Sequence, residues 1–168
     1  MKILKRVVLC IVWIVVVFVE LLIVDFLLAN VVELQYILEV GIPIFCKREN
    51  IDTYSPYFNN GEGISKLYLS EKQSNNMLDD ISKNEYWKEL PIREDINKKI
   101  KEYADLYDDN LYSKIPEVKN GYWFFKERTS GTEDVYAYEN FFAHSASAFS
   151  IGIFDTDENS LYYYTYDR

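Results

Sequence analysis

The sequence predicts an α+β protein with a single N-terminal transmembrane helix, followed by a domain of two helices packed on an antiparallel β-meander. The first observation is an apolar run at residues 7–24, which is interrupted only by Glu20. The second is a change of pattern, in which helical spacing at residues 70–107 gives way to short aromatic runs separated by turn residues at 121–166. Helices followed by a strand meander are typical of helices on one face of an antiparallel sheet. We therefore divide the chain into a cytoplasmic stub and transmembrane signal anchor at residues 1–25, a juxtamembrane helix extension at 26–46 and an extracytoplasmic domain at 47–168.

The apolar run has the length and composition of a membrane span. Its 18 residues extend about 27 Å as a helix at about 1.5 Å per residue, close to the thickness of the hydrocarbon core. Each Leu, Ile, Val or Phe favours insertion by roughly 0.3–0.6 kcal/mol, and together they outweigh the roughly 3 kcal/mol that one central acid costs. The best cleavage site, Phe26-Leu27-Leu28-Ala29, carries leucine where a small residue is needed. We therefore expect a signal anchor that is retained.

The basic residues predict which way the chain faces. Lys2, Lys5 and Arg6 precede the apolar run, and 22 residues separate its end at Val24 from the next basic residue, Lys47. Since basic flanks stay on the cytoplasmic side of a span, we expect a single-pass plasma-membrane protein. Its N-terminus would be cytoplasmic and its C-terminal domain extracytoplasmic.

The domain is acidic, which limits its partners. Residues 1–46 hold three of the 18 basic residues and four of the 27 acidic ones, so the remaining 122 residues carry a net charge of −8. Nucleic acid and anionic lipid headgroups are bound through basic patches, so we expect neither as a ligand. The expected partners are the lipid bilayer and either another protein or a second copy of the chain. No cofactor is expected.

Helical character is predicted to run past the bilayer to about Val40, before Gly41-Ile42-Pro43 ends the helix. Seven positions alternate spacings of three and four residues, as in a coiled-coil seam: Val17, Glu20, Val24, Leu27, Val31, Leu34 and Leu38. Two interpretations stay open. The helix either packs on its own domain or on the membrane surface, or it forms a homodimer seam.

Glu20 is the first candidate contact residue, because it lies on this seam and inside the apolar run. A carboxyl group within a span is costly unless it is protonated, reaches the interface or meets a partner. Glu20 lies nearer the outer end of the run. Two roles therefore stay open, which are snorkelling to the outer interface and pairing with a partner in the bilayer.

Within the domain, residues 44–63 are predicted to be irregular, and cap and turn signals divide the remainder. Ser70 and Gln73 form a capping box that begins a helix ending at about Lys83. A second helix is predicted at about 93–107, with acids in its first turn, where the helix dipole favours them. The predicted strands are residues 64–69, 122–125, 135–142, 145–154 and 161–166, of which the last two form a hairpin.

The tyrosine-rich strand at residues 161–166 is the second candidate contact site. One face would complete the core, and the other would present Tyr162, Tyr164 and Tyr166 as an exposed row. Exposed tyrosines suit contacts because they combine apolar area with a polar tip. The alternative is a strand covered by helices on both sides.

The loop between the last two strands contains part of a calcium-binding pattern. Asp155, Asp157 and Asn159 match the first three ligand positions of a calcium loop. The glycine and the bidentate glutamate that such a loop needs are replaced by Ser160 and Tyr166. Asp and Asn also favour tight turns, so we expect a turn and no metal.

Catalytic signals are weak. His144 is the only histidine, and no Gly-x-Ser-x-Gly elbow surrounds the serines that follow it. With one histidine and one exported cysteine, Cys46, ligands for zinc are too few. The remaining enzyme hypothesis is a cell-surface hydrolase with a carboxylate pair, whose site would be lined by aromatic residues such as Trp87 and Trp123.

The C-terminal part of the chain contains the run Gly121-Tyr122-Trp123-Phe124-Phe125 and, later, residues 155–159 followed by Leu161-Tyr162-Tyr163-Tyr164. This pattern resembles uncharacterised small membrane-anchored proteins of low-GC Gram-positive bacteria. The resemblance covers about the last third of the chain and implies a cell-surface setting without an activity. The function we expect is a non-catalytic, membrane-anchored extracytoplasmic interaction module, a class that includes accessory and immunity proteins. The alternatives are the surface hydrolase and a structural subunit that associates through its membrane helix.

Overall fold

The computed structural model describes residues 2–54, 60–129, 134–137, 141 and 148–168, and of residues 2–10, 23, 25–27, 29 and 30 it describes the backbone alone. The helices are α1 (Lys2–Leu38), α2 (Glu71–Lys83), α3 (Glu94–Ala104) and a 3-10 helix (Leu111–Lys114). The strands are β1 (Lys47–Asp52), β2 (Gly61–Tyr68), β3 (Lys88–Glu89), β4 (Gly121–Glu127), β5 (Ala148–Asp155) and β6 (Ser160–Asp167). The predicted α+β class is confirmed.

The strands form one antiparallel sheet in the order β1-β2-β6-β5-β4-β3. Strands β4, β5 and β6 form the expected meander, including the hairpin between the last two. Strand β2, which comes earlier in the chain, pairs with β6, with Gly61 opposite Asp167 and Tyr68 opposite Ser160. The edge strand β1 occupies a segment predicted to be irregular. Its sequence, Lys-Arg-Glu-Asn-Ile-Asp, is charged in the way that sheet edges commonly are.

One predicted strand, at residues 135–142, is wrong over its described part. Val135 and Tyr136 lie in a turn, and Phe141 is helical. The cause is local, because Asp134 Oδ1 accepts a hydrogen bond of 3.0 Å from the Tyr136 N–H. Such a bond from an Asp side chain to the backbone two residues on favours a turn over a strand. Residues 138–140 and 142 lie outside the described residues.

Helices cover both faces of the sheet, which corrects the expected packing on one face. On one face, Ile96 and Ile100 of α3 pack with the 3-10 helix against the sheet. On the other face, Met77 and Ile81 of α2 pack beside the end of α1. Successive residues of a strand point to opposite faces. One row of β6 holds three buried tyrosines and the other begins with the buried Leu161 and Tyr163, so both faces need a cover.

The two helices of the domain lie close to where the sequence places them. The Ser70 N–H donates to Gln73 Oε1 at 2.8 Å and the Gln73 N–H donates to Ser70 Oγ at 3.4 Å, which is the predicted capping box of α2. Helix α3 has Glu94 and Asp95 in its first turn and ends at Ala104, three residues before the predicted end.

Helix α1 continues without a break to Leu38, and Glu39 then takes a left-handed φ of 57°. The prediction of a helix that extends to about Val40 is confirmed. Among the residues that the structure describes, no helix is both long enough and apolar enough to cross a membrane.

Candidate binding surfaces

The part of α1 from Ile11 to Val24 exposes apolar side chains on every side. The large apolar residues described between Ile11 and Val24 are all exposed, with exposed fractions from 40 to 68%. A helix on the surface of a globular domain normally has a polar face toward water. A continuous apolar surface of this size marks a site that binds a membrane or another protein. This segment is therefore the most extensive candidate binding surface among the described residues.

The end of α1 belongs to the core of the domain. Val31, Leu34 and Leu38 are 4, 7 and 0% exposed and pack against the sheet. The indole N–H of Trp87 donates to the Leu38 carbonyl at 2.9 Å. Gly152 permits this close packing, because a Cβ at its position would lie 2.9 Å from Leu38 Cδ2. The helix is thus held by direct contact with the sheet.

These contacts decide between the two interpretations of the predicted seam. The seam positions Val31, Leu34 and Leu38 are already covered by the chain's own sheet. This part of the helix therefore packs on its own domain, which leaves only the earlier seam positions for a homodimer contact. Whether two copies pair through the earlier positions stays a prediction.

A polar cluster also fixes the last turn of α1 to the sheet. The Glu39 carboxylate accepts hydrogen bonds from Lys126 Nζ at 3.0 Å and from the Tyr136 hydroxyl. The Lys126 ammonium lies 5.1 Å from the ring centre of Tyr36 and 5.3 Å from that of Tyr136. Partial burial and the neighbouring Glu39 raise the pKa of Tyr136, so its hydroxyl stays a donor at neutral pH. Helix and sheet are therefore joined by both apolar and charged contacts.

Glu20 lies on the exposed part of α1, among apolar side chains. Glu20 lies on the same face of the helix as Val31 and Leu34, which pack against the sheet further along α1. Among the described residues, no hydrogen bond or ion pair to Glu20 is seen. A cationic partner for this carboxylate would therefore have to come from outside the described chain.

The predicted exposed row of tyrosines is wrong, since Tyr162, Tyr164 and Tyr166 are 3, 0 and 0% exposed. They lie in the core beneath α3 and the 3-10 helix, which is the alternative considered for this strand. Their rings pack against other aromatic rings, as in the edge-on contact of Tyr164 with Tyr112 at 5.2 Å. This row stabilises the fold and is not a binding surface.

A buried carboxylate anchors this aromatic core. Glu62 is fully buried and accepts hydrogen bonds from the Tyr164 hydroxyl and from the Leu111 N–H, the latter at 2.8 Å. Burial and Glu62 together raise the pKa of Tyr164, which keeps the hydroxyl protonated. Glu62 was not among the residues predicted from the sequence, and its position between Gly61 and Gly63 is the only local signal for it. The carboxylate connects β2, β6 and the 3-10 helix.

The loop between β5 and β6 is a turn, as predicted. Asp155 Oδ1 accepts hydrogen bonds from the Asp157 N–H at 2.9 Å and the Glu158 N–H at 3.0 Å, and Asn159 takes a left-handed φ of 48°. Within the described part of the chain, no cluster of three or more potential ligands could hold a metal ion. The aspartate side chain is therefore used to shape the turn.

The remaining candidates are distributed over the molecule. His144 lies outside the described residues. Cys46 is half-buried, and this burial raises the pKa of its thiol. Trp87 and Trp123 are both buried, but on opposite faces of the sheet, so they cannot line one hydrolase cleft as the sequence suggested.

A cleft of about 510 Å³ lies between α3 and the segment that follows the 3-10 helix. Ile153 of β5 lies at its base, Leu90 and Val118 contribute to its walls, and Lys101 lies on the α3 side. Four separate parts of the chain form it, so local sequence patterns gave no signal for it.

Comparisons with protein-family models, with curated proteins and with solved structures found no match.

Proposed function

We propose that this protein is a single-pass plasma-membrane protein that holds an extracytoplasmic interaction domain at a fixed orientation above the bilayer. The span that we propose is the apolar run of the sequence at residues 7–24, which begins before the side chains that the structure describes. One observation carries the proposal. The exposed apolar part of α1, from Ile11 to Val24, is continuous with the buried part at Val31–Leu38. The same helix would therefore lie in lipid at one end and in the core of the domain at the other.

The energetics of insertion support this role. Eleven Leu, Ile, Val and Phe side chains between Ile11 and Val24 are exposed in the structure. At the usual insertion values they favour transfer into the bilayer by roughly 3–7 kcal/mol in total, against roughly 3 kcal/mol for an acid at the centre. Glu20 lies away from the centre of the run, where its cost is smaller. Insertion is therefore favoured on balance.

The junction with the domain explains how orientation would be kept. A flexible linker would let the domain turn freely, whereas α1 reaches the sheet as an unbroken helix. The hydrogen bond from Trp87 to the Leu38 carbonyl and the Glu39–Lys126 salt bridge then hold its end. A partner in the same membrane would meet the domain at a defined height.

The proposed role is binding and not catalysis. Two buried carboxylates, Glu62 and Asp155, accept hydrogen bonds from backbone N–H groups and shape the fold. The aromatic residues suggested for a hydrolase site are divided between the two faces of the sheet. The cell-surface setting and the absence of an activity follow the resemblance described above.

Alkaline extraction of membranes tests the anchor. The full-length protein should stay in the membrane pellet after a carbonate wash, and the double variant Val15→Asp/Val16→Asp should not, because two central acids cost roughly 6 kcal/mol. The matched control Val15→Leu/Val16→Leu keeps the segment apolar and should stay in the pellet. A wild-type protein that the wash releases would overturn the proposal.

A second role, association with another membrane helix, is favoured by the exposed Glu20. A carboxylate surrounded by apolar side chains in a bilayer is stabilised by a cationic or protonated partner. Crosslinking followed by pull-down of full-length protein from its own membrane should recover a partner that Glu20→Leu loses and the control Val19→Leu retains. Equal recovery with Glu20→Leu and the wild type would exclude pairing through this residue.

A further inference from the structure

The cleft beside α3 has the size and the lining of a small-molecule site. Its volume of about 510 Å³ lies within the range of roughly 300–1,000 Å³ that is usual for ligand sites. Leu90, Ile92, Ile115 and Val118 each pack on the core and are partly exposed, and they line the cleft together with Ile153 at its base. An apolar ligand group could therefore be buried here without moving the core.

One wall of the cleft carries polar groups in a defined order. Asn97 and Lys101 of α3 and Asp105, which caps its C-terminal end in a helical conformation, follow one another at spacings of four residues and so lie on the same side. The Tyr112 hydroxyl donates to Asn97 Oδ1 at 3.0 Å, which leaves the Asn97 amide N–H groups able to donate to a ligand. Among the described residues, Lys101 forms no salt bridge, and it is exposed.

The cleft is also lined by two acidic residues. Asp105 Oδ1 accepts a hydrogen bond from the Asn110 amide, and Asp105 also has a second carboxylate oxygen to offer. Glu117 lies on the other side of the same cleft. A ligand in the cleft would therefore meet donors and a positive charge at Asn97 and Lys101, and negative charges at Asp105 and Glu117.

These groups define the chemistry of the ligand. It needs apolar side chains for the aliphatic walls, an anionic group for Lys101 and Asn97, and a cationic group for Asp105. Lys101 and Asp105 are separated by a rise of about 6 Å along the helix. The two residues of an extended dipeptide span at most about 7 Å. We propose that the cleft binds an aliphatic dipeptide, with its carboxylate at Lys101 and its ammonium at Asp105.

The inference rests on the proposed role of the domain as a binding module, and it names a ligand class for it. Both contacts with the peptide termini are open to solvent, so each contributes modestly to affinity. Most of the affinity would come from the aliphatic side chains against Val118, Ile115 and Ile153. We expect dissociation constants from high micromolar to millimolar.

Equilibrium dialysis with radiolabelled Leu-Leu tests the proposal on the full-length protein in lipid nanodiscs, with empty nanodiscs to correct for partition into lipid. Binding should saturate, and competition by N-acetyl-Leu-Leu and by Leu-Leu-amide should each be weaker than that by Leu-Leu by about fivefold. Absence of saturable binding at millimolar peptide would overturn the proposal. Equal competition by all three peptides would overturn it as well.

Variants assign the two ends of the peptide. With Lys101→Met, the amide should compete as well as the free acid, while Lys98→Met, on the same helix outside the cleft, should keep the preference for the acid. Asp105→Asn should remove the preference for a free amino group. A Lys101→Met protein that still prefers the free acid contradicts the proposed orientation.

Val118→Trp fills the cleft and should reduce Leu-Leu binding by at least tenfold, and unchanged binding would contradict the proposed location. If this variant fails to fold, the comparison of Lys101→Met with Lys98→Met still decides whether the peptide binds in the cleft.

Membrane extraction of the same preparation separates the cleft proposal from the anchor proposal. A protein that stays in membranes and does not bind the peptide overturns the cleft proposal alone. A protein that binds the peptide and is extracted by carbonate overturns the anchor alone.

Discussion

Replacing Leu38 with alanine tests whether the end of α1 is part of the domain core. Leu38 is fully buried, and its Cδ2 lies 2.9 Å from the position that a Cβ at Gly152 would take. Removing a buried leucine side chain and leaving a cavity costs about 2–5 kcal/mol. The Trp87 indole bonds the Leu38 carbonyl, which alanine retains, so the expected loss comes from packing. Leu38→Ala should therefore lower the free energy of unfolding by about 2–5 kcal/mol.

Thermal unfolding of the full-length protein in nanodiscs, followed by near-UV circular dichroism, measures this loss. For a domain of this size, 1 kcal/mol corresponds to roughly 3–5 °C, so the melting temperature should fall by roughly 6–25 °C. Leu28→Ala is the matched control, because Leu28 is on the same helix but is 37% exposed, and it should change the free energy by less than about 1 kcal/mol. If Leu38→Ala melts within 2 °C of the wild type, about the scatter of such scans, the helix does not pack on the sheet as described.

Three further predictions concern the stability and chemistry of the domain. Tyr164→Phe should lower the free energy of unfolding by about 1–3 kcal/mol in urea unfolding, because it removes a hydrogen-bond donor from the buried Glu62. The matched control Tyr166→Phe should cost less, since the Tyr166 hydroxyl has no hydrogen-bond partner among the described residues. An equal loss in the two variants would contradict the role of Glu62. Burial raises the pKa of Tyr166 to about 12 and also raises that of Tyr164. The contribution of the two tyrosines to stability is therefore complete below pH 10, the ordinary pKa of tyrosine, and is lost as the pH rises toward 12. A urea midpoint that is no lower at pH 11 than at pH 9 would refute this. In a Cys10→Ser background, Cys46 should react with iodoacetamide only at higher pH than a free thiol, because burial raises the pKa of its thiol. A dependence of the reaction rate on pH equal to that of glutathione would exclude a half-buried thiol.

The features that the sequence predicted correctly depend on neighbouring residues. The capping box of Ser70 and Gln73 satisfies the first backbone N–H groups of α2, whatever the rest of the chain does. The turn at Asp155 depends on bonds from its side chain to backbone groups two and three residues on. Local chemistry fixes such features, so they can be read directly from the sequence.

The incorrect or missing features depend on contacts between distant parts of the chain. The alternation in β6 shows that Tyr162, Tyr164 and Tyr166 share a face, but it does not show that α3 covers that face. Strand β1 was missed because its charges suit a sheet edge, where side chains stay in water. The cleft beside Lys101 was missed because its walls come from segments that meet only in the folded domain.

Protease digestion of intact spheroplasts that carry the full-length protein tests whether α1 anchors an external domain. We expect external protease to remove the domain at residues 47–168 and to leave an N-terminal fragment, containing α1, that stays in the membrane pellet after a carbonate wash. A protein that is fully protected from the protease in intact spheroplasts, or that carbonate releases from the membrane uncut, would contradict the proposed anchor and orientation.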